Sequence, residues 1–454
     1  MNFSEVQKMS AAVPENLKKL ASVCQLPLYI VGGSVRDFLA GKPLDERADW
    51  DITSPMSEDA LLDGAAFCGF TVKAVYRNTG TVKLKDSFGV AYEFTRFRSD
   101  RYVRGLHAPS KIFFTDDILL DARRRDFCAN AVYFDVAREE YCDPLGGIKD
   151  IQDKILRTVA PAEKVFGEDG LRLMRLARFA AQTGFAPDAE CLAGARRNAA
   201  LIRDIVPERI FAELNAILHA DDKGGEPYRG LLILRETGVL REILPELAAG
   251  DGMRQRDDFH DHDVLEHTFR CVKYAPSDIR WAALLHDVGK PACFLEDGNF
   301  YAHHVRGETL AREILARLKA PKHLIEETAE LVLLHMRDLD GRMKESKVRR
   351  EIVKYYPLLE KLLALRQADY SACKDDLSPA PHVLKWRRIM EKMRSEGVPF
   401  TLSELAVKGD ELIKIGIPPR AVGDVLLSLL DDCAEDGARN EKNRLLKRAE
   451  RWKL

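Results

Sequence analysis

Two acids flanking a tryptophan, Asp49-Trp50-Asp51, follow the glycines of Gly32-Gly33-Ser34-Val35-Arg36-Asp37 by about sixteen residues. If Asp49-Trp50-Asp51-Ile52 is a strand, its period of two puts both carboxylates on one face and Trp50 on the other. Adjacent carboxylates repel unless cations sit between them, and hard, oxygen-seeking Mg²⁺ is the natural occupant. A glycine pair at a helix start offers bare amides to phosphate oxygens. Together these residues suggest a site for a metal-bound nucleoside triphosphate. Tyr92-Glu93-Phe94 adds a third carboxylate on another predicted strand. Acids on adjacent strands can hold two metals, one for an attacking hydroxyl and one for a triphosphate. The alternative makes Glu93 an ordinary exposed strand residue.

Two further clusters carry donors. In Asp121-Ala122-Arg123-Arg124-Arg125-Asp126-Phe127-Cys128-Ala129-Asn130-Ala131, consecutive arginines lead into an apolar strand. They are either a solvated edge or forked donors for phosphate and ribose oxygens. Asn130, between apolar residues, must find partners if it is buried. Glu168-Asp169-Gly170-Leu171-Arg172-Leu173-Met174-Arg175-Leu176-Ala177-Arg178-Phe179 is predicted to open a helix, with Asp169 and Arg172 three apart on one face. The plain interpretation is an intrahelical ion pair contributing ~0.2–0.5 kcal/mol. The sharper one uses base chemistry: cytosine and adenine present an amino donor beside a ring-nitrogen acceptor, and guanine and uracil present the reverse order. A carboxylate beside a guanidinium therefore pairs with C and A and rejects G and U, with no nucleic-acid template.

A different metal chemistry is written later in the chain. His267, His286-Asp287, His303, His335 and Asp369 supply imidazole and carboxylate, the ligands expected for divalent transition metals. Trp281-Ala282-Ala283-Leu284-Leu285 reads as a buried helix ended by Gly289, and polar ligands at its end are costly unless something satisfies them. A lone histidine is more often a hydrogen-bonded core residue; the ordered set reverses that expectation. His260, His262, His304 and His323 fit no required position and are read as surface or supporting residues.

These side chains need elements to hold them. Leu28–Val31 reads as a short buried strand and Ser34–Ala40 as a helix start; Phe70–Val75, Thr81–Leu84, Val90–Phe94 and Ala131–Phe134 read as further strands. Asp143-Pro144-Leu145-Gly146-Gly147 closes this α/β unit, and amphipathic helices dominate from Lys154 onward. Pro207, Gly224-Gly225 and Ser378-Pro379-Ala380-Pro381 mark breaks. At 454 residues, three or four domains are expected. The 31% charged and 46% apolar content excludes a disordered chain, and the net charge of −2 excludes a global basic field for nucleic acid. Arg439–Leu454 is locally basic, more in the manner of a solvated helix face than of an RNA site. Nine scattered cysteines without a C-x-x-C pair predict reduced thiols. With neither an apolar leader region nor an apolar run of the ~20 residues a span needs, a soluble cytoplasmic protein without membrane partner is expected.

G-G-S-V-R-D, D-W-D, R-R-D-F-C-A-N-A and E-D-G-L-R…R-F-A, continuing through Pro207-Glu208-Arg209-Ile210, resemble the class II tRNA nucleotidyltransferase and bacterial poly(A) polymerase family over about residues 25–215. The resemblance implies a polymerase-β-like α/β head followed by an all-α neck, with metal on Asp49 and Asp51; Glu93, offered by the strand pattern, is the third catalytic candidate. It implies nucleotide contacts from Gly32, Gly33, Arg36, Arg124, Asp126, Asn130, Asp169, Arg172, Arg175 and Arg178. Cys128 stands where the family usually has Thr, and Trp50 is bulkier than many residues at its position. The loop Arg98–Ser110 keeps Arg98, Tyr102 and Pro109 but departs in spacing at Ser99-Asp100-Arg101 and Gly105-Leu106-His107. His267, Leu284-Leu285-His286-Asp287-Val288-Gly289-Lys290 and Asp369 resemble HD-domain phosphohydrolases, implying a metal-dependent phosphoester activity or a degenerate helical platform. Pro419-Arg420 near a predicted helix start offers either a place for an RNA phosphate or a simple turn between packed helices, and the stretch to Asn440-Glu441-Lys442 resembles the tails of bacterial CCA-adding enzymes. The expected order is a head (1–150), a helical neck (151–235), an HD-type body (236–378) and a helical tail (379–454). The expected activity is template-independent CCA addition to tRNA from CTP and ATP with Mg²⁺. The rivals are CC-only or A-only addition, poly(A) synthesis, an HD metal phosphohydrolase with a nucleotide-binding head, and a non-enzymatic RNA scaffold.

Overall fold

Short runs, most of them β-branched or aromatic, build the first part of the chain as strands β1 (Tyr29–Val31), β2 (Trp50–Ser54), β3 (Thr71–Tyr76), β4 (Thr81–Lys85), β5 (Ala91–Arg96), β6 (Arg98–Arg101), β7 (Lys111–Phe114), β8 (Tyr133–Asp135) and β9 (Glu140–Cys142). This computed structural model describes residues 9–44, 50–102, 109–255 and 261–452. Asp49, His260 and the loop residues Gly105-Leu106-His107 lie outside the described residues.

Seven strands form one mixed sheet in the order β3-β4-β5-β2-β1-β8-β9. β2 and β5 run parallel; the other pairings in this sheet are antiparallel. Parallel pairing needs a long crossover, supplied here by helix Glu58–Phe67 and the hairpin of β3 and β4. β6 and β7 pair separately, so the segment expected as a loop from Arg98 is in part a hairpin. Helix Gly33–Leu39 follows β1 directly. Val31, Phe97, Ala122, Cys128, Ala131, Tyr133, Val159 and Val165 form an apolar cluster in this region. Helices then take over as expected, among them Ala162–Glu168, Leu171–Thr183 and Pro207–Leu218, the last with proline in its first turn where no donor is lost.

The chain divides into two compact units, Met1–Pro245 and Glu246–Leu454. In the second, helices Val264–Tyr274, Arg280–Leu285, Gly289–Asp297, His303–Arg317, Lys322–Leu334 and Leu359–Lys374 surround the histidine cluster. A separate apolar cluster joins Val348, Ile352 and Leu363 to Trp386, Met390, Leu429 and Leu445, so helix Glu345–Lys354 packs with the C-terminal helices. Pro419 sits in a short 3₁₀ turn, Pro419–Ala421, and the following α-helix begins at Val422. No helix among the described residues is long and apolar enough to cross a membrane.

Candidate active site and metal centre

The parallel pairing of β2 and β5 sets Asp51 directly opposite Glu93, both solvent-exposed, while Trp50 and Tyr92 turn to the buried face. Gly32, between β1 and the helix, has φ +83° and ψ −138°, a region essentially closed to residues with a Cβ. A Cβ at Gly32 would also lie 3.0 Å from Asp51 Oδ2. Glycine is therefore required twice over where the helix amides and the acidic row meet.

Behind this corner runs a buried polar chain. Arg36 donates through Nη1 to Asn130 Oδ1 at 2.7 Å and through Nε to Asp37 at 2.8 Å. Asn130 Nδ2 donates to Asp126 Oδ1 at 3.0 Å, which also accepts the Phe127 N–H at 2.8 Å. Arg175 Nε donates to the other oxygen of Asp126 at 2.7 Å. Burial would raise the Asp126 carboxyl, but Arg175 and these donors outweigh it and hold the acid well below the usual carboxylate range. Arg36, Arg175 and Arg178 gather on the ring of Phe179, at 5.0, 5.1 and 4.2 Å from its centroid. Phe179 is not among the site residues expected from the sequence, although its i,i+4 spacing from Arg175 is a readable signal.

A second hub holds Arg124 and Arg125 of the Arg123–Arg125 run. Fully buried Asp121 accepts Arg124 Nε at 2.7 Å, Arg125 Nη2 at 3.0 Å and the Tyr133 hydroxyl at 2.7 Å. Burial alone would raise this acid; Arg125, Arg124 and Tyr133 bring it down to about 2. The expected Asp169–Arg172 pair on one helix face is corrected. Asp169 is extended between two helices, and its Oδ1 accepts the Leu171 N–H at 3.0 Å. Arg172 instead pairs with Glu168 Oε2 at 3.1 Å and donates to the carbonyls of Val165 at 3.0 Å and Arg124 at 2.8 Å. The break is at Asp169 itself; Gly170 is already helical, and a Cβ on it would lie 2.7 Å from the Leu201 carbonyl oxygen. Arg172 also reaches Tyr102, by hydrogen bond at 3.4 Å and over its ring at 5.4 Å.

In the second unit the predicted ligand set comes together from five separate places in the sequence. His267, His286 and Asp369 form one group with ligand atoms within 4.8 Å of one another, and Asp287, His303 and His335 form another; all six are buried. Asp287 faces both: its Oδ2 lies 3.2 Å from His286 Nε2, and its Oδ1 lies 3.2 Å from His303 Nε2. His286, His303 and His335 turn Nδ1 toward the carbonyls of Ala283, Phe300 and Val332 at 2.9, 2.9 and 2.6 Å. A carbonyl only accepts, so each of those Nδ1 atoms carries a proton and Nε2 is the atom each ring would offer to a metal; burial opposes a charge on His286, but Asp287 overrides it and raises that ring well above its ordinary value. Burial, with His286 and His303 nearby, pushes His335 down to about 3, so its ring stays neutral. Burial opposes ionisation of Asp287, but His286 and Lys290 override it and hold it well below its ordinary value. The Lys290 ammonium is 2.7 Å from Asp287 Oδ2. Such a concentration of buried imidazole and carboxylate fits divalent metal, which would balance the carboxylates and use the aligned lone pairs.

Gly289 does not end the helix before it, as expected, but begins the next one. A Cβ there would lie 2.1 Å from the His303 carbonyl oxygen, so glycine lets the His303 helix close onto the cluster. Ala302, the residue before His303, is left-handed at φ +58°. Of the histidines outside the set, His304 lies beside His303 with ring centroids 6.0 Å apart, and His262 Nε2 is 3.6 Å from Asp375.

A mixed-sheet head with opposed acids, an arginine-lined helical neck and a buried histidine–aspartate cluster are the parts of a nucleotidyltransferase followed by an HD-type body. Residues 28–157 match the poly A polymerase head domain, 184–250 the probable RNA and SrmB-binding site of polymerase A, and 264–372 the HD domain. The chain is 34% identical to the multifunctional CCA protein of Xanthomonas campestris pv. campestris over 65% of its own length and 72% of that protein. It is 31% identical to the A-adding tRNA nucleotidyltransferase of Deinococcus radiodurans over 88% of its own length and 90% of that one. Its fold matches the Bacillus stearothermophilus CCA-adding enzyme in complex with CTP at a TM-score of 0.66 and 26% identity, covering 99% of this chain and 98% of that one. The chain belongs to the tRNA nucleotidyltransferase family of CCA-adding enzymes and their relatives.

Proposed function

We propose that the chain adds C, C and A to tRNA 3′ ends from CTP and ATP, without a template. The observation that carries this is the register of Asp51 opposite Glu93, with Gly32 pressed against Asp51 at a helix start. Bound divalent metal, Mg²⁺ in our assignment, supplies the charge that favours a nucleophilic hydroxyl and neutralises a triphosphate. Asp51 and Glu93, with Asp49 two residues before Asp51 in sequence, are the residues we assign to hold it. Gly32 and Gly33 leave the helix amides open to phosphate oxygens. Asp126 and Asn130 keep Arg36 and Arg175 in place; Arg175, with 34% of its side chain exposed, retains a guanidinium edge for the nucleotide. Arg124, fixed on Asp121, and Arg178, on Glu213 at 2.7 Å, complete the basic lining. Asp169 and Arg172, each held by its own partners rather than by the other, supply the acceptor and the donors that pair with C and A. The tRNA acceptor end would be met by shape and phosphates on the helical neck and tail.

Extension of tRNA ending at the discriminator base, with each nucleotide offered separately and together, tests this. Ordered incorporation of two C and one A is expected; a long adenine ladder or no incorporation would contradict it. A-only addition is the second possibility, favoured by the likeness to the A-adding enzyme across most of both chains. It would extend only tRNA already ending in CC.

We further assign metal-dependent phosphoester hydrolysis to the His267, His286, Asp287, His303, His335 and Asp369 cluster. His286→Ala with Asp287→Ala should abolish it and leave extension intact; hydrolysis that survives would refute the assignment. The free thiols of the described cysteines support a reducing, cytoplasmic setting.

A further inference from the structure

The exposed face of the head sheet carries a charge that the roles above leave unused. β4 and β5 pair so that Lys83 lies opposite Glu93, and β5 and β2 so that Glu93 lies opposite Asp51. The three side chains therefore form one cross-strand row, Asp51–Glu93–Lys83. Lys83 Nζ is 3.2 Å from Glu93 Oε2. The row ends at Ala74 on β3, which brings no acid to compete for the ammonium. Lys85, the next exposed lysine of β4, faces Ala91 and Thr71, so it has no carboxylate opposite it. Of the two, Lys83 alone is set against the acidic row.

About half of each side chain of the Lys83–Glu93 pair is exposed, and ion pairs of that kind add little to folding. Its consequence is for cations. A divalent ion approaching Asp51 and Glu93 must take Glu93 from Lys83 and bear a positive charge close by. A metal that arrives already coordinated by triphosphate brings its own negative charge, and the flexible lysine stem can swing aside toward it.

We propose that Lys83 is a positioning residue that occupies Glu93 until metal arrives with a nucleotide, so that free metal alone is held weakly. This rests on the assignment of Asp51 and Glu93 as metal-holding residues. The test is calorimetric titration of the full chain with Mn²⁺ in the absence of nucleotide. His286→Ala and Asp287→Ala are present throughout to silence the second cluster. Lys83→Gln should tighten Mn²⁺ binding by about threefold to tenfold at low ionic strength. Lys83→Arg should match the chain that keeps Lys83. In a Glu93→Gln background, Lys83→Gln should have less than half its effect. Equal Mn²⁺ affinity with Lys83 and with Lys83→Gln, or undiminished tightening in the Glu93→Gln background, overturns the role of Lys83. Equal affinity with Asp51 and with Asp51→Asn would instead overturn the underlying metal assignment.

Discussion

Asp126→Asn keeps the side-chain volume and removes the charge on which Arg175, Asn130 and the Phe127 N–H converge. Breaking a buried ion pair from one side costs about 3–5 kcal/mol, and the lower end applies because Arg175 keeps 34% side-chain exposure while Asp126 has 5%. A loss of about 3 kcal/mol lowers the melting temperature of a unit this size by roughly 6–12 °C. Freed from its partner, Arg175 no longer holds one orientation, so CTP incorporation should lose about tenfold in kcat/KM, equivalent to ~1.4 kcal/mol. The pH dependence has a fixed sign. The folded-state carboxyl of Asp126 is depressed, chiefly by Arg175 against the opposing effect of burial. Its stabilisation is therefore complete above the unfolded value of about 3.9 and is lost as pH falls toward the folded value. Thermal melts of wild type and Asp126→Asn at pH 7 and in steps below pH 4, with incorporation assayed on the pH 7 samples, measure this. A melting difference under about 2 °C at pH 7, or a gap that fails to narrow in acid, would refute the hub role.

Other substitutions probe other parts of the site. Gly32→Ala forces a Cβ into a strained backbone and against Asp51 Oδ2; about 1–3 kcal/mol of strain and at least tenfold lower incorporation are expected, measured by melting and extension assays. Asp287→Asn should deplete both halves of the histidine cluster, since its two oxygens face different groups, whereas His335→Ala should deplete one; metal content per chain by mass spectrometry distinguishes them. Asp169→Ala should admit UTP or GTP at the expense of CTP and ATP, read from competition with mixed nucleotides; unchanged fidelity would count against base selection by this residue.

Period-two runs of β-branched and aromatic residues make β1 to β5 readable, and Trp50 points inward because alternation requires it once Asp51 points out. What strand patterns do not specify is which strands become neighbours. The parallel pairing that brings Glu93 to Asp51 spans a crossover of a helix and a hairpin, so sequence alone offers Glu93 by residue type and not by position. Helical spacing misleads at Asp169, because the backbone is extended at that residue, between the helices ending at Glu168 and starting at Leu171. Gly170 is helical, and its lack of a side chain answers the Leu201 carbonyl, a partner distant in sequence; Arg172 pairs across the break with Glu168. Gly289 misleads for the same reason: its need is set by the distant His303 carbonyl, not by its neighbours in sequence. The six buried ligands are legible by residue type and order. Their division into two groups around Asp287 depends on helix packing that no local pattern contains.

Diffraction from crystals grown with CTP and Mn²⁺, using the anomalous signal of manganese, tests the central claim most directly. The account predicts manganese bonded to carboxylate oxygens of Asp51 and Glu93, with the triphosphate at the Gly32-Gly33 amides. Manganese bound elsewhere in the first unit, with those carboxylates turned from the nucleotide, would contradict it.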